Sequence, residues 1–209
     1  MSRGHFITFE GPDGSGKSTQ IRLLGEYLEG LGHDVVYTRE PGGSRIGEKI
    51  RDLILDTENK EMDSLTEAML YASSRAQHVA ELIRPALAQG RTVLCDRYVD
   101  SSIAYQGYGR GLGEIVAEIN ALAVGDVTPD LTILFDIPPE SCFERIGRTG
   151  GDRIESEDMA YHRRVYEAYL YLWEKHPGRI KRVDGARDVE SIRDDVNAIT
   201  DEYLERRTM

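Results

Sequence analysis

The chain is short of cysteine, of tryptophan and of positive charge. Its two cysteines, Cys95 and Cys142, lie far apart and form no C-x-x-C pair. No zinc or redox motif is therefore signalled, and Cys95, inside the apolar run Val93-Leu94-Cys95, is read as a small core residue. Lys and Arg number 26 against 37 Asp and Glu, a formal charge of -11. A broad basic face for a nucleic-acid polymer or an anionic membrane is not available, and neither is expected as a partner. No apolar run approaches the roughly 18 to 20 residues that span a bilayer, and the N-terminus reaches a charged loop too soon for a signal peptide. The expected location is the cytoplasm. The histidines, His5, His33, His78, His162 and His176, show no ligand spacing and are read as surface or packing residues. No repeat, low-complexity tract or Pro/Ser linker divides the 209 residues, which suit one compact domain, 1–209.

What the chain does have is Gly11-Pro12-Asp13-Gly14-Ser15-Gly16-Lys17-Ser18, a complete G-x-x-x-x-G-K-[ST] phosphate loop. An apolar strand beginning at Phe6 runs into it. A helix carrying Ile21, Leu24, Leu28 and Leu31 on one face leaves it. Glycines let the backbone curl around an anion, and the helix start aims free N–H groups and a positive dipole end at phosphates. Lys17 is expected at the terminal phosphates of a nucleoside triphosphate, with the Ser18 hydroxyl on a magnesium ion and Thr19 completing the loop.

Five β-rich runs alternate with helical patterns: Phe6 to Glu10, Asp34 to Thr38, Thr92 to Asp96, Leu131 to Asp136 and Arg179 to Asp184. That alternation predicts an α/β fold with a mostly parallel five-stranded sheet and helices on both faces. Val189, Ile192, Val196, Ile199 and Tyr203 mark a packing helix. Ser64 and Glu67 have capping-box spacing and start a helix through Tyr71 and Arg75 towards Val79. Pro85 is expected to end or bend the chain beyond that helix. Glycines around Arg148 make 147–152 loop-like, within a candidate lid of about 145–156.

In open α/β sheets ligands gather at the carboxyl ends of the strands, so the polar residues there matter most. Asp96 ends an apolar strand, as expected for the acidic partner of a magnesium site. Arg97 beside it is a permanent cation that would repel Lys17 unless an anion separates them, which calls for a second phosphate-bearing ligand. The run Arg39-Glu40-Pro41-Gly42-Gly43-Ser44 again places an arginine beside flexible backbone. Tyr71 and Arg75 are four apart on one helix face, and a stacking ring with a fork of donors can grip a nucleobase, although such a pair is more often packing and snorkelling.

Taken together, these residues resemble the thymidylate kinase family. The markers are the phosphate loop with Asp13 inside it, Arg39 to Gly43, Tyr71 to Gln77, Asp96-Arg97-Tyr98, Ser101 to Gln106 and Asp152-Arg153-Ile154-Glu155, six motifs in the family's order. The resemblance implies a nucleoside monophosphate kinase-like fold of the P-loop NTPase type, with a lid closing over ATP and a homodimer packed through helices. It implies transfer of the ATP γ-phosphate to dTMP, in dTTP biosynthesis, with Mg2+ as cofactor. Gly11 to Ser18 would take the ATP phosphates and Asp13 the sugar 3′-hydroxyl of dTMP. Arg39 and Arg97 would hold the acceptor phosphate, Tyr71 would stack on thymine, and Arg75 would reach a base carbonyl with Ser102 nearby. Tyr105 would crowd the 2′ position against a ribose. Arg145 would lie against adenine, with Asp184 to Ala186 bordering it. Tyr71 stands where members often have phenylalanine, and Ser102 where some have asparagine. The phosphate loop holds no arginine, so the resemblance points to the type whose catalytic cation comes from the lid, Arg148 first and Arg153 second.

Two other readings stay open. One is a kinase of another deoxynucleotide or of a nucleoside, which would need Glu10 or Glu40 as a base. The other is a P-loop ATPase switch with no acceptor.

Overall fold

The computed structural model of the chain describes residues 3–147 and 151–208. Five parallel strands, β1 (Phe6–Glu10), β2 (Val35–Arg39), β3 (Thr92–Asp96), β4 (Leu131–Asp136) and β5 (Ile180–Asp184), lie in the order β2-β3-β1-β4-β5. Each begins and ends within a residue of its predicted run. All five residues of β1 are buried, as befits a central strand covered on both faces.

Alternation along the strands sorts the core into layers. Ile7 and Phe9 of β1, Leu94 of β3 and Ile133 and Phe135 of β4 pack on one face against Ile21, Leu24 and Leu28 of α1 (Lys17–Gly30) and Ile192 and Val196 of the last helix, Val189–Thr208. On the other face Phe6, Val93 and Cys95 meet Val79, Ile83, Ala86 and Leu87. Further along that face, Leu134 and Ile180 meet Tyr161, Val165 and Tyr169, which belong to the helix Met159–Lys175. The phosphate-loop pattern, the strand spacing and the last helix are therefore realised as expected.

Two local expectations are corrected. The helix α3 (Ser64–His78), which follows α2 (Arg45–Leu55), is capped by Asp63, whose carboxylate accepts from the backbone N–H of Leu65 and Thr66. Ser64 is its first residue, and Glu67 does not reach back to close a capping box. It is instead fully buried in an ion-pair cluster, because two arginines offer it a better partner than a solvated N–H. Pro85 does not end the helical run. Wider π-helical turns at Val79–Ile83 carry α3 into α4 (Arg84–Ala88), so the regular α-helical ladder is interrupted just before Pro85, whose ring and missing N–H could not continue it.

The remaining helices are α5 (Val99–Ser102), α6 (Ile115–Val124), α7 (Pro139–Ile146), α8 (Met159–Lys175) and α9 (Val189–Thr208), and a π-helical stretch Ile103–Gly109 follows α5. The chain leaves β1 towards β2 and leaves β3 towards β4, in opposite directions across the sheet. A crevice opens at the carboxyl ends of these two neighbours, where this topology places ligand sites.

Candidate active site

The register sets Arg39 of β2 beside Asp96 of β3, and Asp96 beside Phe9 of β1. Backbone bonds then lock the loops that leave this edge: Arg97 N–H donates to the Phe9 carbonyl at 2.9 Å and Glu40 N–H to the Asp96 carbonyl at 2.9 Å. The phosphate loop leaves β1 in the same place. Gly11 has φ +139°, and a Cβ there would lie 2.9 Å from the Phe135 carbonyl oxygen, so only glycine permits the approach. Gly16, at φ +96°, precedes α1, whose start has no side-chain cap and no acid in its first turn. Its N–H groups are left for an anion.

Lys17 is buried and donates from Nζ to the carbonyls of Gly11 (3.0 Å) and Pro12 (2.8 Å). Burial lowers its pKa and nearby Arg97 lowers it further, while Asp13 opposes both. Ser18 Oγ donates to Asp96 Oδ2 at 3.2 Å, and Asp96 Oδ1 is buried with no hydrogen-bond partner among the described residues. Thr19 is exposed one residue further along α1.

Arg97 takes φ +70°, a conformation rare outside glycine. It thereby turns its guanidinium towards the phosphate loop, donating to Asp13 Oδ1 (2.8 Å), Ser101 Oγ (3.2 Å) and Tyr169 Oη (3.2 Å), with the Tyr105 ring 5.0 Å beneath it. Burial would raise the Asp13 carboxyl, but Arg97 and Lys17 outweigh it and hold it down to about 2. The anion expected between the two cations is thus supplied here by Asp13. Glu10, at the end of β1, is buried beneath this group. Its oxygens accept from Tyr98 N–H (2.8 Å), Ser101 Oγ (2.5 Å) and Tyr169 Oη (3.1 Å), and burial, aided by Asp100, pushes its pKa up to about 7.

Beside the phosphate loop is a half-open cavity. Asp13, Tyr71, Arg75, Arg97, Ser102 and Tyr105, all expected at the acceptor, line it together with Glu40, Pro41, Arg51, Gln106, Asp152 and Glu155. Tyr105 and Gln106 lie in the π-helical stretch Ile103–Gly109, whose altered register aims both inward. Arg75 is almost fully buried in the floor. It donates from Nε to Glu40 Oε2 (2.6 Å), from its terminal nitrogens to Ser102 Oγ (2.8 Å) and the Tyr98 carbonyl (2.9 Å), and also to Asn120 Oδ1. Ser102 therefore serves Arg75.

Several expected residues lie elsewhere. Arg39 curls back onto its own loop, with Glu48 and the Pro41 carbonyl as partners, and does not line the cavity. Arg145 is exposed in the last turn of α7, and Asp184 closes a turn with Ala186 N–H at the end of β5. Arg148 lies outside the described residues. Arg153, the second candidate for the lid cation, is buried, donating to the Ile54 carbonyl (2.8 Å) and to Glu67 (2.7 Å). Glu67 also holds Arg110 and Gln106, and Arg110 reaches Glu157. The segment from Asp152 to Glu157 is thus pinned to α2 and α3, and this part of the 145–156 lid is a wall of the cavity.

Sequence reasoning missed Arg51 and Asn120. Arg51 lies on the same helical stripe as Gly47 and Ile54, the buried residues of α2, and a lone cation on a buried stripe was a legible signal. Asn120 sits in a short apolar helix and carried no spacing that would connect it to Arg75.

A model of the family described as Thymidylate kinase matches residues 9–196. The chain belongs to the thymidylate kinase family. A thymidylate kinase of Exiguobacterium sibiricum is 50% identical over 206 residues, 98% of this chain and 97% of that one. That of Lactobacillus delbrueckii subsp. bulgaricus is 52% identical over 195 residues, 91% and 92% of the two chains. The crystal structure of thymidylate kinase from Ehrlichia chaffeensis is similar with a TM-score of 0.73 at 37% identity, covering 87% of this chain and 93% of that one.

Proposed function

We propose that the cavity holds dTMP and the phosphate loop holds ATP, so that the γ-phosphate passes to the acceptor phosphate across the Asp13–Arg97 boundary. The observation that carries this reading is that one boundary: Asp13 belongs to the phosphate loop and lines the cavity, and its partner Arg97 directly follows the strand next to the loop's own. A thymidylate kinase moves the terminal phosphate of ATP onto dTMP, and each half of this site suits one substrate.

Phosphoryl transfer needs in-line placement and charge neutralisation more than covalent help. Gly11 to Thr19 would cradle the ATP phosphates, with Lys17 leaving its loop carbonyls for the terminal phosphates. Arg97 would take the acceptor phosphate, joined by Arg39 once it leaves Glu48. Tyr71 would stack on thymine, Arg75 would use its one remaining donor on a base carbonyl, and Tyr105 would crowd the sugar 2′ position. Arg145 and Asp184 to Ala186 would border adenine, and Arg148 would supply the lid cation. Ser18 and Asp96 fit a magnesium ion, since their oxygens face one another and Asp96 keeps a buried oxygen unsatisfied. Bound there, the ion would neutralise charge on the transferring group.

The acceptor is a phosphate monoester with a second pKa of about 6, so it arrives mostly as a competent dianion and needs no base. A nucleoside acceptor would need one. Both oxygens of Glu40 are engaged by Arg75 and His78, and both of Glu10 by Tyr98, Ser101 and Tyr169, which favours the monophosphate.

The exposed Leu53 of α2, Leu65 and Met69 of α3 and Leu122 of α6 lie on helices that pack side by side, and support a homodimer formed through them. Among the described residues no helix is long and apolar enough to cross a membrane. The cytoplasm is the proposed location. ADP formation from magnesium-ATP with dTMP, dUMP, UMP and thymidine as separate acceptors, beside a control without acceptor, tests the reaction. Strong turnover with dTMP, weaker with dUMP and negligible with UMP or thymidine is the expected order. Equal ADP release without acceptor would mean a switch ATPase.

A further inference from the structure

His78 takes no part in the chemistry above, yet its ring is wholly buried behind the floor of the acceptor cavity. It lies three residues beyond Arg75 on α3, so the two side chains leave the helix on neighbouring faces. Nδ1 meets Glu40 Oε1 at 2.8 Å, and Nε2 meets Thr38 Oγ1 at 2.7 Å. A carboxylate only accepts, so Nδ1 carries the hydrogen. The other oxygen of Glu40 holds Arg75 Nε at 2.6 Å. A continuous chain, Thr38 to His78 to Glu40 to Arg75, therefore links β2 to the group that faces the acceptor. The ring is also clamped from outside, since a Cβ on Gly43 would lie 2.5 Å from its Nε2.

Four of the five N–H donors of Arg75 are used within the protein, which leaves one for a ligand. The direction of that donor depends on the plane of the guanidinium. Glu40 sets that plane together with Ser102, Asn120 and the Tyr98 carbonyl, and its carboxylate can rotate about its own axis unless its second oxygen is held. His78 holds it. We propose that His78 is a positioning residue for base recognition, fixing Glu40 so that Arg75 presents its remaining donor to the acceptor's base. This rests on the reading of the cavity as the dTMP site.

The two ring nitrogens can be imitated separately. The side-chain nitrogen of His78→Asn falls near Nδ1 and can still donate to Glu40, that of His78→Gln falls near Nε2 and serves Thr38, and His78→Leu keeps bulk without either bond. Steady-state KM for dTMP and for ATP, kcat and thermal stability are measured for the wild type and the three variants. The expected result for His78→Leu is a dTMP KM raised about tenfold with the ATP KM unmoved, the size of one lost hydrogen bond to a charged group. His78→Asn should recover most of the loss and His78→Gln little. Equal recovery by Asn and Gln, an ATP KM that rises with the dTMP KM, or a loss of stability with the dTMP KM unchanged would each overturn the proposal and leave His78 a packing residue. If His78→Leu does not fold, the comparison of Asn with Gln decides the matter alone. A wild-type enzyme with no dTMP-dependent turnover would instead overturn the reading of the cavity, and the positioning role with it.

Discussion

Arg97 and Asp13 meet at 2.8 Å across the boundary between the end of β3 and the phosphate loop, and the approach depends on a backbone conformation that arginine seldom adopts, φ +70°. The neighbouring backbone enforces it: Arg97 N–H is bonded to β1 and Tyr98 N–H to Glu10, so the chain has no freedom to relax. Strain of this kind persists where surrounding structure over-determines it.

Replacing Arg97 reverses the usual ranking of glycine and alanine. Both Arg97→Gly and Arg97→Ala lose the guanidinium and should lose most turnover. The glycine variant should nevertheless be the more stable by about 1 kcal/mol, because only glycine takes positive φ without cost. Denaturant unfolding of the two proteins checks this, and a more stable alanine variant would contradict the strain argument.

On the proposed reading Lys17 serves a ligand and not the core. Lys17→Ala should lower kcat by about 10² to 10³, the range seen when one donor to developing charge is removed. Its melting temperature should stay close to wild type, because burial and the nearby Arg97 already disfavour the lysine's charge where it lies. Wild-type turnover in this variant would remove Lys17 from the mechanism.

Arg153 and Glu67 behave as structural partners. Breaking a buried pair costs about 3 to 5 kcal/mol when the remaining charge is uncompensated. Glu67→Gln should approach that loss, since Arg110 and Arg153 both depend on it, while Arg153→Ala should lose less because Arg110 still neutralises Glu67. Unchanged unfolding in Arg153→Ala together with a collapse of kcat would restore it as a catalytic cation.

The buried Glu10 makes stability depend on pH. An acid raised from 4.5 to about 7 on folding keeps its proton longer in the folded chain. Its contribution is complete below about 4.5 and is withdrawn as pH rises through about 7. Glu10→Gln removes that dependence, so the stability of the wild type should fall relative to the variant between about pH 5 and about pH 8. Parallel curves from urea titrations across this range would show that Glu10 does not titrate there.

Asp96→Asn tests the proposed metal pair. Loss of the carboxylate should raise the magnesium concentration needed for half-maximal turnover while leaving dTMP binding in the absence of ATP unchanged. Calorimetry with dTMP alone separates the two effects.

Much of this site is local chemistry and could be read before folding. The phosphate loop is one continuous run, and the proposed roles of its glycines and lysine belong to their own backbone and side chain. Asp96 ends, and Arg97 follows, a strand that its continuous apolar run identifies. The surroundings of Arg153 were not legible for the opposite reason: its partners, Glu67 and the Ile54 carbonyl, are far away in sequence, and only they make its burial tolerable. The cap of α3 failed similarly, since Ser64 and Glu67 have the right spacing and the competing partners of Glu67 come from other elements.

The order of strands, helices and phosphate loop follows from periodicity and turn chemistry, which are properties of neighbouring residues, so the fold and the place of the phosphate loop in it were already written in the linear chain. The cavity beside it took shape only through long-range contacts. Whether Arg75 faces a base depends on Glu40, His78, Ser102 and Asn120 converging from four segments, and whether Arg97 and Lys17 tolerate one another depends on where Asp13 lies between them. Charge pairing in a desolvated interior is a matter of distance in space, and distances between remote residues exist only once the chain has folded.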